Sequence, residues 1–242
     1  MASAFIDPIL FDGAAVDARL AAGEAPLPVL RPCRESGDRL LESRFRDGIP
    51  ARELVAQRAW LIDQLVVRAW RCLAPDHLDQ AVIAAVGGYG RGNLHPCSDI
   101  DLLILLGAPA DPALGSAIER FVTFLWDTGL EVGHSVRTVD ECAEQATREL
   151  TVATNLMEAR SLCGPDALFQ QMRRATSPPA VWPVAAFFRA KLEEQTARHA
   201  KYHDTANNLE PNLKEGPGGL RDLHTIGWVA KRHFDARSLH DL

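Results

Sequence analysis

Gly87-Gly88-Tyr89-Gly90-Arg91-Gly92-Asn93-Leu94-His95-Pro96-Cys97-Ser98-Asp99-Ile100-Asp101 joins two apolar runs, Ala81–Val86 before it and Leu102–Leu106 after it. Both runs are short for a free helix, and both read as strands buried on two faces. Successive side chains of a strand point to opposite faces, so Asp99 and Asp101 at the entrance of the second strand share a face, about 7 Å apart along it. Two carboxylates side by side raise each other's pKa unless a cation sits between them. Mg2+ suits the pair, because it is commonly held by one or two carboxylates together with substrate phosphates. The pair Gly87-Gly88 allows backbone N–H groups to approach those phosphates closely. The stretch reads as a site for a metal-bound nucleoside triphosphate.

Two other phosphate motifs fail on the same residues. The dinucleotide-binding G-x-G-x-x-G read from Gly88 requires glycine at 93, where Asn93 stands, and a helix straight after, where Asn93-Leu94-His95-Pro96 reads as a loop. The P-loop read from Gly87 reaches Gly92 and then requires Lys, again at Asn93. Cys97 beside Ser98 and Asp99 has no assignable base and reads as a loop residue.

Outward from the motif, residues 1–37 carry scattered Pro, Gly and Ala without a sustained period and read as a partly ordered arm. From Asp38 to Leu73 apolar residues recur at helical spacing, interrupted at Gly48-Ile49-Pro50, which predicts two helices. A helix near Ala113–Asp127 closes at Gly129, and Glu131–Arg137 is the third strand. Thr138 with Glu141 forms a capping box for the next helix, expected to run to about Leu150. Gly164-Pro165 precedes a short helix. After Ser177-Pro178-Pro179 the pattern is helical, with helices at Val184–Ala206 and Arg221–Phe234 around a loop from Asn207 to Gly219. The expected fold is α+β, a mixed-sheet catalytic domain over residues 38–175 followed by a helical domain over 176–242.

The chain has 242 residues, enough for a sizeable core, and 47% of them are apolar. Its net charge of −6 provides no overall basic field, so no nucleic-acid partner is expected. The five cysteines are odd in number and widely spaced, which predicts reduced thiols and a cytoplasmic protein. No stretch approaches the roughly 20 apolar residues of a membrane span, and the N-terminus has no basic region followed by an apolar core.

GGYGRGNLHPCSDIDLLILL resembles the active-site signature of the DNA polymerase beta-like nucleotidyltransferase superfamily. Two further stretches, Gly129–Thr138 and Asn207–Asp222, narrow the resemblance to the family of bacterial PII uridylyltransferase/uridylyl-removing enzymes, from about residue 40 onward. The resemblance implies Mg2+-dependent transfer of UMP from UTP to a tyrosine of a PII nitrogen-regulatory protein, with release of pyrophosphate. It makes Asp99 and Asp101 the catalytic, metal-binding carboxylates. Gly87, Gly88, Arg91 and Ser98 become nucleotide contacts, and Lys214, in the rigid basic loop Lys214–Arg221, a cleft-lining cation.

The superfamily's usual third carboxylate falls on Glu131 or on nothing, because the rest of that strand holds no acid; His134 and Arg137 are candidates for substrate contacts. His199 and His203 stand four apart on a predicted helix, but without further ligands they read as a solvated face. The family's phosphohydrolase and glutamine-sensing regions resemble nothing in these residues, so the chain is expected to be truncated at its C-terminus. An adenylyltransferase acting on another protein and a nucleotide-binding regulatory module without turnover stay open beside the leading reading.

Overall fold

In the computed structural model, residues 7–178, 180–206 and 210–234 are described. The fold is α+β. Its centre is a four-stranded sheet in the order β3-β2-β1-β4, with β1 at Ala81–Ala85, β2 at Ile100–Leu106, β3 at Val132–Thr138 and β4 at Arg160–Cys163. β1 runs antiparallel to β2 and β4, whereas β2 and β3 are parallel. A parallel pair needs a crossover, supplied here by α5 (Pro112–Asp127). β4 was not expected from the sequence, since Arg160-Ser161-Leu162-Cys163 is short and half-buried throughout.

The period of two along β2 decides what each face does. Ile100, Leu102, Ile104 and Leu106 join Ala81, Ile83 and Ala85 in the main core. Three helices cover that face: α2 (Pro26–Arg46), α3 (Ala51–Leu73) and α5. Trp70 of α3 meets Phe121 of α5 edge-on at 5.1 Å between ring centroids. Asp101 lies on the opposite face and is exposed.

The N-terminal stretch corrects the expectation of a partly ordered arm. It holds α1 (Gly13–Ala21) and the first half of α2, and buries Leu10, Phe11, Val16, Val29 and Leu30. The prolines misled the reading. Pro26 falls in the first turn of α2, where no backbone donor is required, and only Pro32 interrupts its interior. Two arginines of α2 satisfy the end of α5: Arg31 donates to the Asp127 carbonyl, and Arg34 Nε to that of Thr128 at 2.7 Å. Gly37 brings α2 close to α3, for a Cβ there would fall 2.4 Å from Leu61 Cδ2.

The chain divides into two units, Met1–Val139 with Glu158–Gln171, and Asp140–Met157 with Met172–Leu242. The second unit is helical. It contains α6 (Val139–Arg148, from its second residue), α7 (Leu150–Met157), α9 (Val184–Ala200) and α10 (Leu220–Phe234), while α8 (Asp166–Ala175) begins in the first unit. Arg232 of α10 is buried and donates to the Trp182 carbonyl from Nε at 3.0 Å and Nη2 at 2.7 Å. Lys191 of α9 is also buried; it pairs with Glu194 and lies 4.5 Å from the Trp228 ring centroid. α9 stops at Ala200, short of the expected Ala206, and His203 and Asp204 just beyond it take positive φ. Residues 207–209, within the expected loop, lie outside the described residues.

Candidate functional site

The glycine stretch is not a plain loop. Val86 is extended and its N–H donates to the Asp101 carbonyl at 3.0 Å, prolonging the β1–β2 ladder by one rung. Gly87, at φ +58°, then turns the chain into α4 (Gly87–Gly90), a single helical turn. Gly90 N–H donates to Val86, Arg91 N–H to Gly87 and Asn93 N–H to Gly88. No side chain caps the start of the turn, which leaves its first N–H groups to a ligand or to water. A Cβ on Gly88 would meet the Asn93 carbonyl at 3.6 Å and Arg91 Nη2 at 3.7 Å, so the Arg91 guanidinium stands beside the open side of Gly88.

After the turn, Ser98 N–H donates to the His95 carbonyl at 3.2 Å, and Cys97 between them takes φ +60°, a left-handed conformation unusual for a side-chain-bearing residue. Ser98, Asp99 and Asp101 are all exposed. The parallel register sets Asp101 opposite Gly133. That glycine is required by proximity, since a Cβ on it would fall 2.9 Å from Asp101 Oδ1. Ile100 N–H donates to the Glu131 carbonyl at 2.8 Å, one residue before β3. Among the described residues no three acidic, histidine or cysteine side chains converge into a metal cluster. Asp99 and Asp101 are the residues that would hold a Mg2+ completed by substrate oxygens.

Beneath the turn lies a group that sequence reasoning missed. Tyr89 is buried and its phenol donates to Asp63 Oδ1 of α3 at 2.7 Å. Arg160, paired with Ala85 at the end of β1, grips the same carboxylate with two nitrogens at 2.7 and 3.0 Å. Burial, reinforced by the Asp63 carboxylate, pushes the Tyr89 phenol well above its ordinary pKa. No local sequence signal connects residues 63, 89 and 160.

A family profile described as "Nucleotidyltransferase domain" matches residues 68–149, and one described as "GlnD PII-uridylyltransferase" matches residues 186–242. A protein of Pseudomonas putida (strain GB-1) named bifunctional uridylyltransferase/uridylyl-removing enzyme is 54% identical over 98% of this chain. One of the same name from Nitrosococcus oceani is 51% identical over the same share. Over nearly its whole length the chain is similar to these uridylyltransferase/uridylyl-removing enzymes. It spans 26% of the length of these relatives. The similarity extends through nearly all of the chain, N-terminal helices included, rather than beginning near residue 40.

The family's second matched stretch contains Lys214. Asn212 Oδ1 accepts from the N–H groups of Lys214 and Glu215 at 3.1 and 2.8 Å, and Arg221 N–H donates to the Lys214 carbonyl at 2.9 Å. The loop is thus ordered by its own hydrogen bonds, and the Lys214 side chain is exposed. Asp222, at the start of α10, accepts from Gln195, Arg198 and His199 of α9 and from Gly218 N–H. His199 is engaged by that carboxylate at 3.0 Å, which accounts for it without a metal.

Proposed function

We propose that this chain transfers UMP from UTP to a tyrosine hydroxyl of a PII-type nitrogen-regulatory protein and releases pyrophosphate. The observation that supports the reading best is the pairing of exposed Asp101 on β2 and exposed Asp99 just before it with an uncapped glycine turn at the end of the adjacent strand. The relatives' name supports uridylyl as the group transferred, and the family profile's description supports PII as the acceptor.

In this reading the N–H groups of Gly87 and Gly88 receive the triphosphate, Arg91 neutralises one of its oxygens, and Ser98 donates a hydrogen bond to another. Lys214 is the further cation proposed for the nucleotide. Asp99 and Asp101 would hold Mg2+. Mg2+ held there would lower the pKa of the incoming hydroxyl and neutralise charge on the α-phosphoryl group. The tyrosine oxygen forms a bond to the α-phosphorus, the bond from that phosphorus to the bridging oxygen breaks, and pyrophosphate leaves with the electron pair. The exposed carboxylates can pass the tyrosine proton to water.

Among the described residues no helix is long and apolar enough to cross a membrane, and the five cysteines are free thiols, which supports a cytoplasmic location. Incubation with labelled UTP or ATP, Mg2+ and a PII protein tests the reading. UMP on a tyrosine of PII is expected; label from ATP on a different protein, or binding without transfer, would replace it.

A further inference from the structure

The buried group under the glycine turn calls for an explanation that packing does not supply. A phenylalanine at 89 would fill the same space, and an ion pair withdrawn from water gains little over apolar residues of equal volume. Here the side-chain exposures are 19% for Asp63 and 36% for Arg160, so the pair has given up much of its hydration. What it gains is a fixed position for one residue of the turn. The Tyr89 phenol is tied to Asp63, and its carbonyl lies 3.4 Å from Arg160 Nη2 while also accepting from Gly92 N–H at 3.0 Å. The guanidinium carbon sits 5.6 Å from the Tyr89 ring centroid, so one arginine touches both ends of the residue. Gly90 closes the other side, for a Cβ there would fall 2.3 Å from the Glu158 carbonyl and 2.9 Å from that of Ala85. A four-residue turn rich in glycine has almost no side chains with which to hold itself. This one is held from below by α3 and β4.

We propose that Asp63, Arg160 and Tyr89 are positioning residues for nucleotide binding, aiming the N–H groups of Gly87 and Gly88 at the triphosphate without touching it. The inference rests on the nucleotidyl-transfer reading and adds to it the device that keeps the site ordered before nucleotide arrives. Pre-set donors cost no reorganisation when the charge arrives, and a misplacement of about 1 Å can cost on the order of a hundredfold.

The test uses the whole 242-residue chain. Binding of a non-hydrolysable UTP analogue with Mg2+ and steady-state transfer to a PII protein are measured for the unmodified chain, Tyr89→Phe, Arg160→Lys, Asp63→Asn and Asp101→Asn. All are compared well below their unfolding midpoints. Arg160→Lys keeps the charge but loses the two-pronged grip, and with Asp63→Asn is expected to raise both the analogue Kd and the KM for UTP by about tenfold to a hundredfold. The KM for the acceptor protein should stay unchanged, a split that general loss of stability does not produce. Tyr89→Phe removes only a hydroxyl and keeps the fold even where the charged variants fail, and it should raise the UTP KM severalfold. Folded variants with an unaltered UTP KM would overturn the inference alone, provided that the unmodified chain binds the analogue and Asp101→Asn abolishes turnover. An unmodified chain that binds no analogue would bring down the transfer reading and this inference together.

Discussion

At the scale of single residues, exposure separates chemistry from stability. Asp99 and Asp101 lie at an open strand end, so Asp99→Asn or Asp101→Asn should lower transfer by at least about two orders of magnitude while the unfolding midpoint stays put. Near-normal transfer by either variant in the labelled-UTP assay would remove the metal-site assignment. Neighbouring glycines should respond in different ways. Gly88→Val makes only ordinary contacts at Cβ, so it should fold and lose nucleotide binding. Gly90→Ala presses on two carbonyls and should cost about 1–3 kcal/mol in denaturant unfolding. Gly133→Ala places a methyl against Asp101 Oδ1, and is expected to reduce turnover far more than stability.

Among the elements, the joints are made by arginines. Arg34 of α2 donates to the Thr128 carbonyl at the end of α5 and pairs with Asp38 at 2.7 Å. Arg34→Ala should therefore destabilise the fold by about 1–3 kcal/mol, read from the denaturation midpoint, although the residue is far along the chain from the helix it caps. In the second unit the corresponding joint is Asp222. Burial pushes its carboxyl up, but Arg198, Gln195, the Gly218 N–H and His199 outweigh burial and hold it well below its ordinary value of 3.8. A carboxyl lowered on folding stabilises fully above its unfolded pKa and loses that contribution as pH falls through the folded one. The stabilisation should be intact at pH 5 and decline only below about 3.8; in Asp222→Asn this acid-dependent part of the unfolding curve should disappear.

For the whole molecule, the proposed reading makes Lys214, exposed on a loop ordered by its own hydrogen bonds, a cation for the nucleotide. Lys214→Ala should raise the KM for nucleotide with little change in kcat, since a point charge on the triphosphate contributes nearly equally before and during transfer. The relatives' name pairs uridylyl transfer with uridylyl removal. In the proposed reading transfer needs two carboxylates and the substrate's own phosphates. The chain should then add UMP to PII, and incubation with uridylylated PII tests whether it also removes it.

By itself the sequence determined what is local. The buried strands, the carboxylates two apart, the break at Pro50 and the helix closing at Gly129 all follow from period, rotation and turn chemistry within a few residues, and the structure has them at Ala81–Ala85, Ile100–Leu106, Ala51–Leu73 and Pro112–Asp127. Tertiary structure decided what depends on residues distant in the chain. Pro26 and Pro32 looked like breakers until α3 supplied a surface for α2 to bury against. Asp63, Tyr89 and Arg160 carried no signal until β4 paired with β1 and brought the arginine under the turn. Gly133 carried no signal until the β2–β3 register set it against Asp101. Backbone preference is written in adjacent residues, but register and burial arise only when separate segments meet.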